Sequence, residues 1–292
     1  MEVISLQSGS NGNSFYVRAG KQQFLFDAGI TGALAEKRLA SHGKDIREID
    51  GLFISHGHRD HCQSMGVYHR KYGHPIFLNE QTLFQARRDH KIGILNDLHF
   101  FKSGETINLG QVQVHTISTP HDALDSVAFV IEYNQKQLGI LTDIGHVNKT
   151  IAQTLCQLDA VIIESNYDAK MLSQSHYPLW LKQRVRGKGG HLSNKDSALA
   201  LREALAAQKS NALKEDNPPR LQWICLCHLS RENNQPAIAL QTHREILGNS
   251  LPLHIASRDD VGEKLILDCE PVFSEEKIQA VSPAREQQKS LF

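Results

Sequence analysis

The sequence predicts an α/β protein of four layers, two β-sheets packed face to face with helices on the outside. Three observations predict it. Short β-rich runs open the chain in meanders, later strands alternate with helices, and this progression occurs in both halves. The 292 residues suffice for one large core or two modest ones.

β-branched and aromatic residues mark strands at 3–6, 15–17 and 23–26. The runs Ser8-Gly9-Ser10-Asn11-Gly12-Asn13 and Ala19-Gly20-Lys21 separate them as turns. Thr31 suits the N-cap of a helix that runs through Leu34, Leu39 and Ala40 and stops before Gly43. The apolar run at 51–55 is the next strand. Further strands are expected at 75–79, 106–109, 112–118, 126–133 and 137–142, then a helix at 148–157 and the apolar strand 160–163. Ala198, Leu199, Leu201, Ala204 and Leu205 form the apolar stripe of a helix at 193–208. A loop at 209–220, marked by Asn217-Pro218-Pro219, leads to strand 221–226, helix 236–247 and strand 252–256. No repeat or long internal linker divides the chain, so 1–274 reads as one domain. From about residue 275 the composition turns polar, and 275–292 read as a flexible tail.

Lys plus Arg and Asp plus Glu both number 32, so net charge alone points to neither a nucleic-acid nor a membrane partner. The five cysteines are irregularly spaced and no secretory signal precedes them, which suggests reduced thiols in the cytoplasm. Cys225 and Cys227 alternate inside an apolar run and read as core strand residues. No apolar run approaches the ~20 residues that a membrane span needs.

Chemistry concentrates in Ile54-Ser55-His56-Gly57-His58-Arg59-Asp60-His61. His56 and His58 stand two apart and, on an extended segment, project to one side, where they can grip one metal ion. Asp60 and His61 follow as the chain bends and can serve a second ion. Imidazole nitrogen with carboxylate oxygen suits zinc first, with manganese or iron as alternatives.

More candidate ligands stand at the ends of predicted strands: His121 in Thr119-Pro120-His121-Asp122, Asp143 in Leu141-Thr142-Asp143, and His228 in Cys227-His228-Leu229-Ser230. This order, with Asp27-Ala28-Gly29 after the third strand, resembles the metallo-β-lactamase fold of metal-dependent hydrolases over roughly residues 1–270. The resemblance implies two divalent metal ions. His56, His58 and His121 would hold one, Asp60, His61 and His228 the other, and Asp143 would bridge them. A water between such ions loses a proton near neutral pH and becomes the nucleophile, with Asp60 orienting it. Redox relatives carry a glutamate in the first motif, so His58 argues for hydrolysis. His146 is expected to brace the site or to be structural.

Glu164 in Ile163-Glu164-Ser165-Asn166 and His191 in Gly190-His191-Leu192-Ser193-Asn194 narrow the reaction. Read alone, they are a helix-capping acid and a loop residue. Together they resemble the nuclease branch of this fold, which includes the tRNA 3′-end processing enzymes. There a glutamate orients a histidine that protonates the departing oxygen. With the Ser8–Ser14 loop, these motifs resemble the YycJ/WalJ-type subfamily of bacterial DNA exonucleases. Backbone amides of that loop are candidates to touch phosphate, although a simple hairpin turn also explains it. Between Asp168 and Asp196 no acidic residue occurs, while Lys170, Lys182, Arg184, Arg186, Lys188 and Lys195 do. Lys182, Arg184, Arg186, Lys188 and Asn194 are therefore the candidate substrate contacts. Tyr177 and Trp180 either stack on bases or pack a short helix. Only 26 residues separate Glu164 from His191, too few for the large inserted domain of related RNA-processing exonucleases.

The chain closes with Gln288-Lys289-Ser290-Leu291-Phe292, which resembles the peptide by which bacterial replication and repair proteins bind the sliding clamp. Leu291 and Phe292 would fill an apolar pocket and Gln288 would anchor them. The expected activity is a dinuclear-metal DNA exonuclease, working from a 5′ end. An RNA-cutting or cyclic-nucleotide phosphodiesterase and a thioester or lactone hydrolase are the alternatives.

Overall fold

The computed structural model describes residues 1–215 and 220–269. β1 (Glu2–Gln7), β2 (Ser14–Ala19) and β3 (Gln22–Phe26) form the expected antiparallel opening meander. Thr31 caps α1 (Gly32–Ala40) by accepting from the Leu34 amide at 3.3 Å. β4 (Gly51–Phe53) ends two residues before the expected limit, because Ser55 turns away and gives its amide to Asp27 Oδ1 at 2.8 Å. α2 (Arg59–Cys62), α3 (Met65–Tyr72), β5 (Ile76–Leu78), α4 (Glu80–Asp89) and β6 (Leu98–Phe100) follow. Of these only β5 is expected from sequence. α4 buries two polar residues, Thr82 and Gln85, beside Leu83 and Ala86, which blurs its apolar period.

β7 (Thr106–Leu109), β8 (Val112–Ser118), β9 (Val127–Tyr133) and β10 (Lys136–Leu141) form the second meander. The chain then alternates through α5 (Lys149–Leu155), β11 (Ala160–Glu164), α6 (Ala169–Gln174), α7 (Leu179–Arg186), α8 (Asn194–Glu215), β12 (Trp223–Cys227), α9 (Pro236–Leu247), β13 (Leu253–Ile255) and β14 (Lys264–Ile266). α8 overruns its expected end at 208 and shortens the expected loop, since Ala212-Leu213-Lys214-Glu215 are strong helix formers. Asn217-Pro218-Pro219 and the tail, with Gln288, Leu291 and Phe292, lie outside the described residues.

The described strands form two seven-stranded sheets, ordered β14-β1-β2-β3-β4-β5-β6 and β13-β12-β11-β10-β9-β8-β7. Strand alternation builds three apolar layers. Phe24, Phe26 and Phe53 from one sheet meet Phe129, Ile140 and Ile162 from the other, with Phe53 stacked on Phe26 and Phe77 at 5.1 and 4.6 Å. Leu25 and Leu52 face outward to Ala35, Leu39 and Tyr68 of the first helical layer. Val161, Ile163, Ile224 and Leu226 face Ile151, Leu201 and Ala239 of the second. Two sheets between helices are the expected αββα sandwich. Cys225 and Cys227 point into its core at 3% and 0% exposure.

Strand direction fixes where chemistry can occur. β3, β4 and β5 run parallel, as do β10, β11 and β12. Loops leaving their carboxyl ends therefore gather on one edge of the sandwich. The opposite edge holds the chain start. β1 is antiparallel to β2 and so parallel to β3, placing Met1 away from that edge. β14 pairs with β1, and the Met1 amine donates to the Leu267 carbonyl at 2.6 Å.

Candidate metal centre

Segments that follow β3, β4, β8 and β10, the end of β11 and the residue after β12 each deliver one part of a polar cluster. After β4 the chain bends at Gly57 and His58, and α2 begins at Arg59 with His58 as its N-cap. This bend gathers the motif, with the His56 ring 4.8 Å from that of His58 and 4.1 Å from that of His61. His56, His58 and His121 each offer a ligand atom within 4.8 Å of the others, as do Asp60, His61 and His228. Asp143 lies between the groups: Oδ1 is 3.6 Å from Nε2 of His121, and Oδ2 is 3.1 Å from Nε2 of His61.

Two buried atoms here have no hydrogen-bond partner among the described residues, Nε2 of His56 and Oδ2 of Asp143. His61 stands near that oxygen but out of hydrogen-bond alignment. Leaving a buried polar atom unpaired costs about 1–3 kcal/mol. Two such atoms aimed into one histidine–carboxylate cluster fit a divalent cation, which takes up electron pairs that have no protein donor.

The outward nitrogens of the rings are tied down. Asp27 Oδ2 accepts from His61 Nδ1 at 2.7 Å, while Ser55 Oγ reaches His56 Nδ1 at 2.9 Å and Asp27 at 3.0 Å. The Gly190 carbonyl accepts from His121 Nδ1 at 3.1 Å, and Glu164 Oε1 from His228 Nδ1 at 2.9 Å. With Nδ1 of His61, His121 and His228 acting as donor, Nε2 of each ring keeps its electron pair for the centre. Asp27, Asp143 and His228 take φ of 65°, 55° and 55°, a region side chains seldom adopt. Gly29 has no room for a side chain. A Cβ there would lie 1.7 Å from the Asp60 carbonyl oxygen, so this loop seats the metal-motif backbone directly.

A family model described as the β-lactamase superfamily domain matches residues 22–210. This chain belongs to the β-lactamase superfamily. Within it, the chain is 35% identical to the exodeoxyribonuclease WalJ of Streptococcus pneumoniae over 81% of its length and 84% of that protein. It is 31% identical to the exodeoxyribonuclease YycJ of Bacillus anthracis over 83% of its length and 87% of the relative. It thus falls in the YycJ/WalJ group. Among solved structures, the metallo-β-lactamase fold protein YhfI of Bacillus subtilis superposes with a TM-score of 0.65 at 15% identity, covering 90% of this chain and 99% of that one.

The superfamily member's His/Asp clusters are suited to divalent metals, and their electrostatics agree. Burial, reinforced by neighbouring imidazoles, drives His56 well below its ordinary pKa and His58 to about 4, so both stay neutral. Burial opposes charge on His61 and His228 too, but Asp143 and its fellow carboxylates win, raising His61 well up and His228 to about 10. Burial likewise opposes ionised Asp60 and Asp143, yet His61 and His228 hold both well below the carboxylate range. A cation entering this cage displaces protons from His61 and His228.

Glu164, 0% exposed, is saturated. Oε2 accepts from the amides of Ile144 and Leu192 at 2.8 and 3.1 Å, and Oε1 from Nδ1 of His191 and of His228 at 2.8 and 2.9 Å. Although Glu164, His191, His228 and Asp143 also cluster at ligand distance, these four donors make Glu164 a brace rather than a free ligand. Burial disfavours the charged ring of His191, but Glu164 and then Asp143 raise its pKa above the ordinary value. His191 lines a cleft of about 340 Å³ together with Asp60, His121 and His228.

Arg184 lines the same cleft and donates from Nε to Asp122 Oδ2 at 2.6 Å. Lys182, two residues earlier on α7, donates to the Ser173 carbonyl at 2.8 Å, while Arg186 and Lys188 are exposed. Asn194 departs from its expected substrate role. It is 1% exposed and accepts from Ser165 Oγ at 2.6 Å and from Asn234 Nδ2 at 2.8 Å, so it braces the floor beneath the cleft. In the first loop the Gly9, Gly12 and Asn13 amides bond to Asn13 Oδ1 and to the Gly9 and Asp60 carbonyls, as a turn would have them, while Ser10 lines the cleft. His146 donates to the Lys188 carbonyl at 2.8 Å and lines a separate hollow of about 400 Å³. Sequence reasoning passed over Asp122, Asn13, Ser55 and the bracing part played by Asp27. Asn13 Nδ2 lies 3.3 Å from Asp60 Oδ2. Of these, only Asp27, alone after a strand in Asp27-Ala28-Gly29, carries a signal in sequence.

Proposed function

We propose that this hydrolase is a dinuclear metal-dependent phosphodiesterase that removes nucleotides from DNA, starting at a 5′ end. One observation carries the reading: a single buried carboxylate, Glu164, holds both the ligand-capable His228 and His191, whose Nε2 is left for the cleft. A departing alkoxide needs a proton, whereas the thiolate released from a thioester leaves without one. The exodeoxyribonuclease names of the YycJ and WalJ relatives support the choice of DNA.

His56, His58 and His121 would hold one ion and Asp60, His61 and His228 the other, with Asp143 shared. Zinc suits this imidazole-rich set best. When bound, the ions supply Lewis acidity at the phosphoryl group and activate water near neutral pH. Asp60 orients the attacking water by accepting its hydrogen bond. Glu164 keeps His191 protonated, and its Nε2–H donates to the leaving oxygen. Arg184, Lys182, Arg186 and Lys188 hold flanking phosphates. The five free thiols agree with a cytoplasmic protein, with residues 1–274 as the catalytic domain and 275–292 as a tail whose Gln288, Leu291 and Phe292 engage the sliding clamp.

Wild-type and His58→Ala proteins, each loaded with zinc or manganese, would be incubated with end-labelled duplex DNA, single-stranded DNA and a tRNA precursor. We expect the wild type to shorten DNA and the variant to be inert. If no nucleic acid is cut in a His58-dependent manner, the assignment fails, and cutting confined to the tRNA precursor would move the substrate to RNA.

A further inference from the structure

The metal motif holds one residue that the chemistry above leaves idle. Arg59 stands between His58 and Asp60, candidate ligands of the two ions, and lines the cleft together with them. It is the first residue of α2, and it is exposed.

Its side chain is pinned at one atom. Arg59 Nε donates to Gln63 Oε1, four residues further on, at 3.1 Å. Gln63 is itself fixed, because its Nε2 donates to the Gly29 carbonyl. That second bond settles which end of the Gln63 amide faces Arg59. The terminal nitrogens of Arg59 have no partner among the described residues. A guanidinium held through Nε presents its free N–H groups as a flat fork, a shape that matches two oxygens of one phosphate.

Charge singles out the same residue. Arg184, the other arginine of the cleft, is offset by Asp122, whose Oδ2 accepts from its Nε at 2.6 Å. Gln63 carries no charge, and no carboxylate lies within ion-pair distance of Arg59 among the described residues. Away from the ligand cluster the polar lining is otherwise neutral, made of Ser10, Asn166, Tyr177, Ser230 and Asn233. Among the described residues of this lining, Arg59 is the guanidinium whose charge nothing offsets.

Position then selects the phosphate. The bond to Gln63 carries the fork along α2, away from the His58 end, by up to one turn or about 5 Å. The phosphate under attack belongs to the ions, so the fork meets the next one along the strand. Resting on the DNA reading above, we propose that Arg59 holds the phosphate adjacent to the scissile one, so that the site grips two phosphates of one strand and favours a polynucleotide over an isolated phosphodiester.

Metal-loaded His191→Ala protein, slowed in cleavage, would be titrated with a labelled DNA duplex over roughly a tenfold range of salt, with binding read by anisotropy. Each phosphate neutralised by a protein cation steepens log K against log salt by about 0.9. Adding Arg59→Ala should flatten the slope by that amount, so the affinity gap between parent and variant should be about eightfold wider at the low-salt end than at the high-salt end. Arg59→Lys, which keeps the charge, should keep the slope. In proteins with His191 intact, Arg59→Ala should lower kcat/KM on DNA more than on bis(p-nitrophenyl) phosphate, which carries a single phosphate. Equal slopes in parent and Arg59→Ala would overturn the proposal, as would an equal fall on both substrates or a flattened slope in a variant that has also lost its metal by atomic emission. A parent that binds no DNA at any salt would instead take down the DNA reading, and this proposal with it.

Discussion

Glu164 concentrates two tasks in one carboxylate. Its pairing with His191 is readable in the chain, because an acid closing an apolar strand and a histidine in a Gly-His-Leu-Ser-Asn turn are unusual near one another. Its grip on His228, 64 residues further on, is not readable, since only the parallel pairing of β11 with β12 brings Glu164 beside Cys227. The clustering of the candidate ligands was legible for a different reason: His56, His58, Asp60 and His61 share one short motif, and His121, Asp143 and His228 each follow closely on a strand end. Bracing groups such as Asn13 and Ser55 look like ordinary loop residues. Two substitutions separate the tasks. His191→Ala should lower kcat about 10²- to 10⁴-fold on DNA while metal content, measured by atomic emission, stays near wild type. Glu164→Gln removes the charge that raises the His191 pKa. The alkaline limb of the kcat profile should then move to lower pH, and a limb that stays put would disprove the proton-holding role.

At the level of elements, α8 and α9 show how a polar residue enters a core. His243 on α9 is 0% exposed, with Nδ1 donating to the Ala239 carbonyl at 2.8 Å and Nε2 3.3 Å from Ser197 Oγ of α8. Burial lowers its pKa to about 4, below the ~6.5 of an unfolded chain. The unfolded state therefore takes up the proton first. The contribution to stability is whole above about pH 6.5 and drains away as pH falls toward about 4, by about 3 kcal/mol at most. Urea unfolding of wild type and His243→Gln between pH 7 and 4 should give a flatter slope for the variant, and coincident slopes would sink the idea. Both helices were legible from their apolar stripes. α2, α3, α4 and α6 were not, because the first three bury histidine, glycine or glutamine and α6 buries only Leu172, so none shows a clean 3.6-residue period.

The whole molecule follows from alternation on strands covered on both faces, which is why the four layers could be read early. The closing pair was hidden, since β14 exposes Lys264 and Ile266 and buries only Leu265. That pair nevertheless places the last described strand, because Leu267 is bonded to Met1 at the edge opposite the cleft. The 23 residues from 270 to 292 reach at most roughly 80 Å. Deleting 288–292 should abolish binding to the sliding clamp and leave digestion of free DNA unchanged, and equal clamp affinity with and without the segment would end that proposal. Were that binding found, a ring encircling DNA would hold an enzyme whose described chain ends on the edge facing away from its cleft.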